Sequence, residues 1–272
     1  MEKKFGPLVI ISVAALGLLF ILLFQPKILK IGGGANNIKD DSFGGIKRAN
    51  LIRVGSALEE LPWGTIDQTN GEKIGGEVEI AKMLAHELGV GIEIVNRGFD
   101  FLIPELLSKK FDVIIAGISI TDERKGKIAF SDPYFKTGQV IIVKDDNKEI
   151  TDETNLEGKI VGVLSGTTSQ NFANTIPNVK EVRVYDNPGQ YYEDTKSGKI
   201  DATIYDQPAA YWYTKNSQGL KIVGNLLTSE YYALGLRKED VELKSRIDQA
   251  ISKIIKTEQY KKIIADWYGA NL

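Results

Sequence analysis

The 272-residue chain contains no cysteine and a single histidine, His86. Disulfides, thiolate nucleophiles and zinc clusters are thereby excluded, as is any catalytic or metal site that needs two imidazoles. An excess of one charge is missing too: 34 basic against 36 acidic residues leave a net charge of −2. No basic patch interleaved with aromatics offers a surface for nucleic acid. Hydrophobic residues make up 43% and charged residues 26%, so wholesale disorder, coiled coil and a polytopic membrane protein are disfavoured. The length is enough for two domains of modest size, or one large one, with a real core.

One long uncharged run is present, LVIISVAALGLLFILLF at 8–24, with Lys3 and Lys4 before it and Pro26, Lys27 and Lys30 after it. As a helix it would be about 25 Å long, near the short limit for a membrane span and longer than the usual apolar core of a cleaved signal. Residues 1–30 are therefore an export segment, either an uncleaved anchor in the cytoplasmic membrane or a cleaved signal. The small residues Gly33, Gly34 and Ala35 lie far beyond the run, which favours the anchor. The remainder is expected outside the cytoplasm. Residues 31–49, rich in Gly, Asn and charge, are predicted to be a flexible tether.

Beyond Leu51 strand and helix patterns alternate. LIRVGSA is a short β run, and EVEIAKMLAHEL puts Ile80, Leu84 and Leu88 on one helical face before Gly89 stops it. GIEIV, DVIIAGISI and GQVIIVK are strand candidates, with FLIPELLSKK a short helix. The alternation restarts with KIVGVLSG, EVRVYD, IDATIYD and LKIVG, and residues 241–268 should be helical. Two βα sets in one chain predict an α/β protein of two doubly wound lobes.

Four features have both a functional and a structural reading. His86 falls on the face opposite Ile80, Leu84 and Leu88 and is expected to be exposed. SGTTSQNF places Thr167 and Thr168 between a strand and a helix, where free N–H groups favour an anion, or simply form an N-cap. Ser119 and Arg124 follow a buried strand, where open α/β sheets bind ligands; Arg124 could grip a carboxylate or form a surface salt bridge. Asp206 ends IDATIYD before Pro208, as a ligand group or as a helix cap.

Taken in order, the stretches LIRVG at Leu51, FDFLIPELLSKKFDVIIAGISITDERK at Phe99, FSDPYFKTGQ at Phe130, GKIVGVLSGTTS at Gly158, IDATIYDQPAA at Ile200 and IIADWYG at Ile263 resemble the extracytoplasmic solute-binding proteins of family 3. These are the polar amino acid receptors of ABC importers. The resemblance implies a type II periplasmic-binding-protein-like fold, two doubly wound lobes joined by a two-strand hinge, with lobe 1 at 50–135 plus 233–272 and lobe 2 at 136–232.

It implies, residue by residue, that Arg124 pairs with a ligand carboxylate, helped by the N–H and hydroxyl of Ser119 and the helix start at Thr167 and Thr168. Asp206 and the Gly117 carbonyl would take the α-ammonium, and Trp63 and Phe99 would pack the side chain. A zwitterion needs such a cationic fork at one end and a carboxylate at the other. The sequence departs from the family pattern at Ala57 and Glu60, where an Asp and an aromatic lid are usual, and at Gly75–Glu77, where GGE replaces GFD. Glu60 could face a cationic ligand side chain such as Arg or Lys, or point to solvent. The expected protein is a monomeric, extracytoplasmic binder of one polar amino acid that delivers it to an ABC permease, with no cofactor and no catalysis. The alternatives are a cyclohexadienyl dehydratase-like enzyme on the same scaffold, with Glu60 as acid, and an anchored amino acid sensor.

Overall fold

The computed structural model of the protein describes residues 40–269. The apolar run at 8–24 and the tether as far as residue 39 lie outside the described residues. Among those described, no helix is long and apolar enough to cross a membrane.

The body opens on a helix, α1 (Ser42–Ala49), where composition predicts tether. Gly44 and Gly45 weaken such a helix intrinsically, but tertiary contacts outweigh propensity. Ile46 is buried, Lys47 Nζ donates to the Gly89 carbonyl at 3.0 Å, and Asn50 ends the helix in the left-handed conformation.

Next come β1 (Leu51–Ser56), a hairpin of β2 (Thr65–Ile66) and β3 (Lys73–Ile74), α2 (Gly76–Leu88), β4 (Gly91–Asn96), α3 (Leu102–Leu107), β5 (Val113–Ile114), α4 (Asp122–Lys127) and β6 (Ala129–Phe130). The chain crosses through β7 (Phe135–Thr137) into β8 (Gln139–Lys144), β9 (Ile160–Leu164), α5 (Thr168–Ala173), β10 (Glu181–Tyr185), α6 (Pro188–Lys196), β11 (Ala202–Asp206), α7 (Gln207–Asn216) and β12 (Leu220–Val223). It returns through β13 (Glu230–Tyr232) to β14 (Gly235–Leu236) and finishes on α8 (Val241–Ile254) and α9 (Glu258–Ile263).

Two five-stranded sheets result, ordered β4-β1-β5-β14-β6 and β10-β9-β11-β8-β12. In each, the first three strands are parallel and the fourth enters antiparallel. That fourth strand is in both cases the one reached directly from a crossing, β14 from β13 and β8 from β7. The crossings themselves pair antiparallel, Glu230 opposite Thr137 and Tyr232 opposite Phe135. This is the two-lobed type II architecture. Helices on both faces bury the central strands, which explains the unbroken apolar run Val140–Val143.

In α2, Ile80, Leu84 and Leu88 are buried and His86 is exposed, and Gly89 closes the helix at φ 65°. Two elements are shorter than the sequence pattern predicts. DVIIAGISI supplies only Val113 and Ile114 to the sheet, because Gly117 turns at φ 56° and leads the chain out of it. The C-terminal helix breaks after Ile254 and restarts where Thr257 Oγ1 accepts the Tyr260 N–H at 3.1 Å. The last turn then packs on α7 of the second lobe, with Trp212 and Trp267 ring centroids 5.1 Å apart.

Candidate functional site

The ends of β5 and β11 face each other across a cleft, beside the crossing strands. Glu60, Trp63, Phe99, Gly117, Ser119, Arg124, Thr167, Thr168 and Asp206 all line this one cleft.

From the first lobe, Gly117 is held by its own N–H, which donates to Glu77 Oε1 at 2.7 Å. A Cβ at this position would lie 2.8 Å from Trp63 Nε1, so both the turn and the close approach require glycine. Glu77, from the unusual GGE stretch, is not at a lid. It is fully buried and also accepts from the Tyr134 hydroxyl. Burial pushes its carboxyl up to about 7.

Arg124 sits on α4, whose N-cap Thr121 accepts the Arg124 N–H at 3.1 Å. The surface salt-bridge reading fails, since Arg124 is only 8% exposed. Its Nη1 donates to the Ser119 carbonyl at 2.8 Å and its Nη2 to the Gly166 carbonyl of the second lobe at 3.1 Å. Phe99 lies under the guanidinium, 5.3 Å from ring centroid to Cζ. Its electrostatic partners are carboxyl groups, Asp206 first and then Glu230. Trp63, 7% exposed, packs edge-on against Tyr205 and Tyr232, and its Nε1 has no protein partner.

From the second lobe, Thr167 caps α5 by accepting from Gln170 N and donates to the Leu164 carbonyl at 2.7 Å. Asp206 occupies the N-cap position of α7 yet makes no side-chain cap bond, which removes the capping reading. Its Oδ1 accepts instead from the Tyr232 hydroxyl at 2.8 Å and Gln139 Nε2 at 3.0 Å. Burial, reinforced by Glu230, raises its pKa to about 7. Glu60 does not point to solvent: Tyr205 donates to its Oε1 across the cleft. Burial lifts the Glu60 carboxyl to about 8.

Sequence reasoning missed Tyr205, Gln139, Glu230 and Tyr232, and noted Glu77 only as part of a departure from the family pattern, without a role. Glu230 accepts the Ser119 hydroxyl at 2.5 Å and the Thr168 hydroxyl at 2.8 Å on one oxygen, Oε2. The Ser119 hydroxyl proton is thus engaged by Glu230, and what Ser119 could still offer a ligand carboxylate is its backbone N–H. The alternation of side chains along a strand places Glu230 and Tyr232 on one face of β13. Nothing in the sequence tells which face meets the cleft.

The arrangement suits binding. It presents one buried guanidinium, the buried carboxyl of Asp206 with the half-buried Glu60 as a further acid, and aromatic walls, and among the described lining residues Arg124 is the single cation. Residues 52–270 match the family described as bacterial extracellular solute-binding proteins, family 3. The chain is 30% identical over 231 residues to the ABC transporter arginine-binding protein 1 of Escherichia coli (strain K12), covering 82% of this chain and 93% of that protein. An ancestral arginine-binding protein, solved with arginine, superposes with a TM-score of 0.75 at 39% identity, over 81% of this chain and 99% of that one. An ancestral amino acid-binding protein described as a precursor of cyclohexadienyl dehydratase gives 0.78 at 34% identity, over 84% and 99%. These relatives are described by what they bind, and this chain is likewise a binding protein rather than an enzyme. From its two-lobed fold, its polar cleft and the match over 52–270, it belongs to the bacterial extracellular solute-binding proteins, family 3.

Proposed function

We propose that this protein is an extracytoplasmic receptor that closes its two lobes on one polar amino acid, favouring a cationic side chain such as that of arginine or lysine, and delivers it to an ABC importer permease. The observation that carries this reading is the pairing of Arg124 on one lobe with Asp206 on the other, both buried at the cleft. A cationic fork and a carboxylate are what the two ends of an α-amino acid require, and in a closed cleft their attraction is little screened.

The cationic preference rests on the surplus of acid. Burial holds the Glu60 and Asp206 carboxyls near 8 and 7, so part of their charge is withheld in ligand-free protein, and a ligand with an extra positive charge draws out their ionised forms as a neutral one does not. Trp63, Phe99 and Tyr205 offer ring faces and edges for the aliphatic and cationic parts of such a side chain. The arginine-binding relatives support the same preference. The hinge is the pair β7 and β13, so a ligand that touches both lobes biases the equilibrium toward closure. Residues 8–24 would keep the receptor at the membrane beside its permease.

A thermal-shift screen of all amino acids tests this. A ligand at 100 times its dissociation constant adds about 2.7 kcal/mol, so L-arginine or L-lysine should raise the melting temperature by several degrees. A flat response to every amino acid would end the proposal.

A further inference from the structure

The crossing strands are more than a tether. Glu230 stands on the returning strand β13, and its carboxylate gathers hydroxyls from both sides of the cleft. Ser119, from the first lobe, and Thr168, from the second, both donate to Oε2, at 2.5 and 2.8 Å. Oε1 accepts from Thr228 Oγ1 at 2.6 Å and Gln139 Nε2 at 3.1 Å. A hydroxyl has one proton, so Ser119, Thr168 and Thr228 each have theirs committed to this carboxylate, and hydrogen bonds to an ionised acceptor are the strong kind. Gln139 ties the cluster further by donating to Thr168 Oγ1 and Asp206 Oδ1, both at 3.0 Å.

We infer that Glu230 is an interlobe clasp: a positioning residue that joins Ser119 and Thr168 on one oxygen, sets the two halves of the ligand grip relative to each other, and populates the closed arrangement before any ligand arrives. No ligand identity enters this inference. Because the clasp hangs from the hinge strand itself, opening must break at least one of its two arms, while the other stays with whichever lobe retains it. Glu230 orients the Ser119 and Thr168 oxygens so that their lone pairs, not their protons, are left toward the cleft. An energetic link of this type acts through two discrete lobe positions and is measurable as a population.

The absence of native cysteine lets two introduced thiols be labelled cleanly. Lys127→Cys on α4 and Asn171→Cys on α5 carry spin labels on exposed residues of opposite lobes, and electron-electron distances are read in ligand-free protein. Wild type is expected to show a closed population, and Glu230→Ala should lower its closed-to-open ratio about tenfold or more. Glu230→Gln should lower it less, since an amide oxygen still accepts but its NH2 then opposes either Gln139 Nε2 or the hydroxyls. Should Glu230→Ala fail to fold, Thr168→Val breaks one arm alone, and its effect should be smaller in the Glu230→Gln background, where the amide already holds that arm more weakly. Unchanged distances in Glu230→Ala alongside a lowered melting temperature, additive effects of Glu230→Gln and Thr168→Val, or a wild type that is wholly open without ligand would each overturn the clasp. A failed amino acid screen would leave these distances untouched, so the two tests fail separately.

Discussion

The two lobes use the same strand order but end their third strand in opposite ways. In the first lobe β5 lasts two residues, and the chain turns at Gly117, φ 56°, to bring a carbonyl, Ser119 and then Arg124 to the cleft. In the second lobe β11 runs unbroken for five residues and delivers Asp206 by its side chain, at the start of α7. A site made by bending backbone needs support behind the bend, here Glu77 and Tyr134. A site made by a side chain at the end of a regular strand needs only partners, here Tyr232 and Gln139. Damage in the first lobe should therefore spread through the loop, whereas damage in the second should stay local.

The largest effect is expected from Arg124→Ala, which removes the cation proposed to meet the ligand carboxylate and would leave that charge buried and unpaired. Such losses cost roughly 2 to 5 kcal/mol, so calorimetric affinity for the cognate amino acid should fall at least about thirtyfold. An unchanged affinity would take Arg124 out of the site. Next is Asp206→Asn, which keeps shape and loses charge. Binding should weaken about tenfold or more, and because Asp206 makes no cap bond, the melting temperature should barely move. A loss of stability with intact affinity would restore the capping reading.

Glu60→Gln should erase the preference for Arg or Lys over Gln in a competition assay while leaving residual binding through Arg124 and Asp206. The wild-type preference should persist as salt is raised, since a pair in a closed cleft is poorly screened. Neutral amino acids winning already in the wild type would contradict the role given to Glu60.

The smallest effect concerns the support of the first-lobe bend. Glu77 has a folded pKa of about 7 against an ordinary 4.5, so the folded state binds the extra proton. The stability linked to that proton is complete below about pH 4.5 and is lost as pH rises through about 7. Its size is on the order of 1–3 kcal/mol. Glu77→Gln, which mimics the protonated form, should flatten the fall of melting temperature between pH 5 and 8 in ligand-free protein. A slope equal to that of wild type would place the linked proton elsewhere.

Legibility in the sequence followed the same division. The second lobe was readable because KIVGVL and IDATIYD are regular apolar strands whose ends mark Thr167, Thr168 and Asp206. In the first lobe the pattern DVIIAGISI read as one long strand, since apolar residues line both the strand and the turn that leaves it. The helix at Ser42–Ala49 was hidden by two glycines whose cost only tertiary packing offsets. Gln139 and Glu230 had no local signature at all, and Glu77 showed only as a departure from the family pattern, with no role attached. Each matters through partners far along the chain, 40 residues away for Glu77 and Gly117 and 111 for Glu230 and Ser119. Such pairings are set by topology, which one-dimensional periodicity does not encode.

The central claim, that the two lobes grip the two ends of one α-amino acid, is tested most directly by titrating wild-type protein calorimetrically with L-arginine and with agmatine, the same molecule without its carboxylate. The account predicts tight binding of L-arginine and at least about thirtyfold weaker binding of agmatine, the loss expected when Arg124 has no carboxylate to meet. Equal affinities for the two would contradict it.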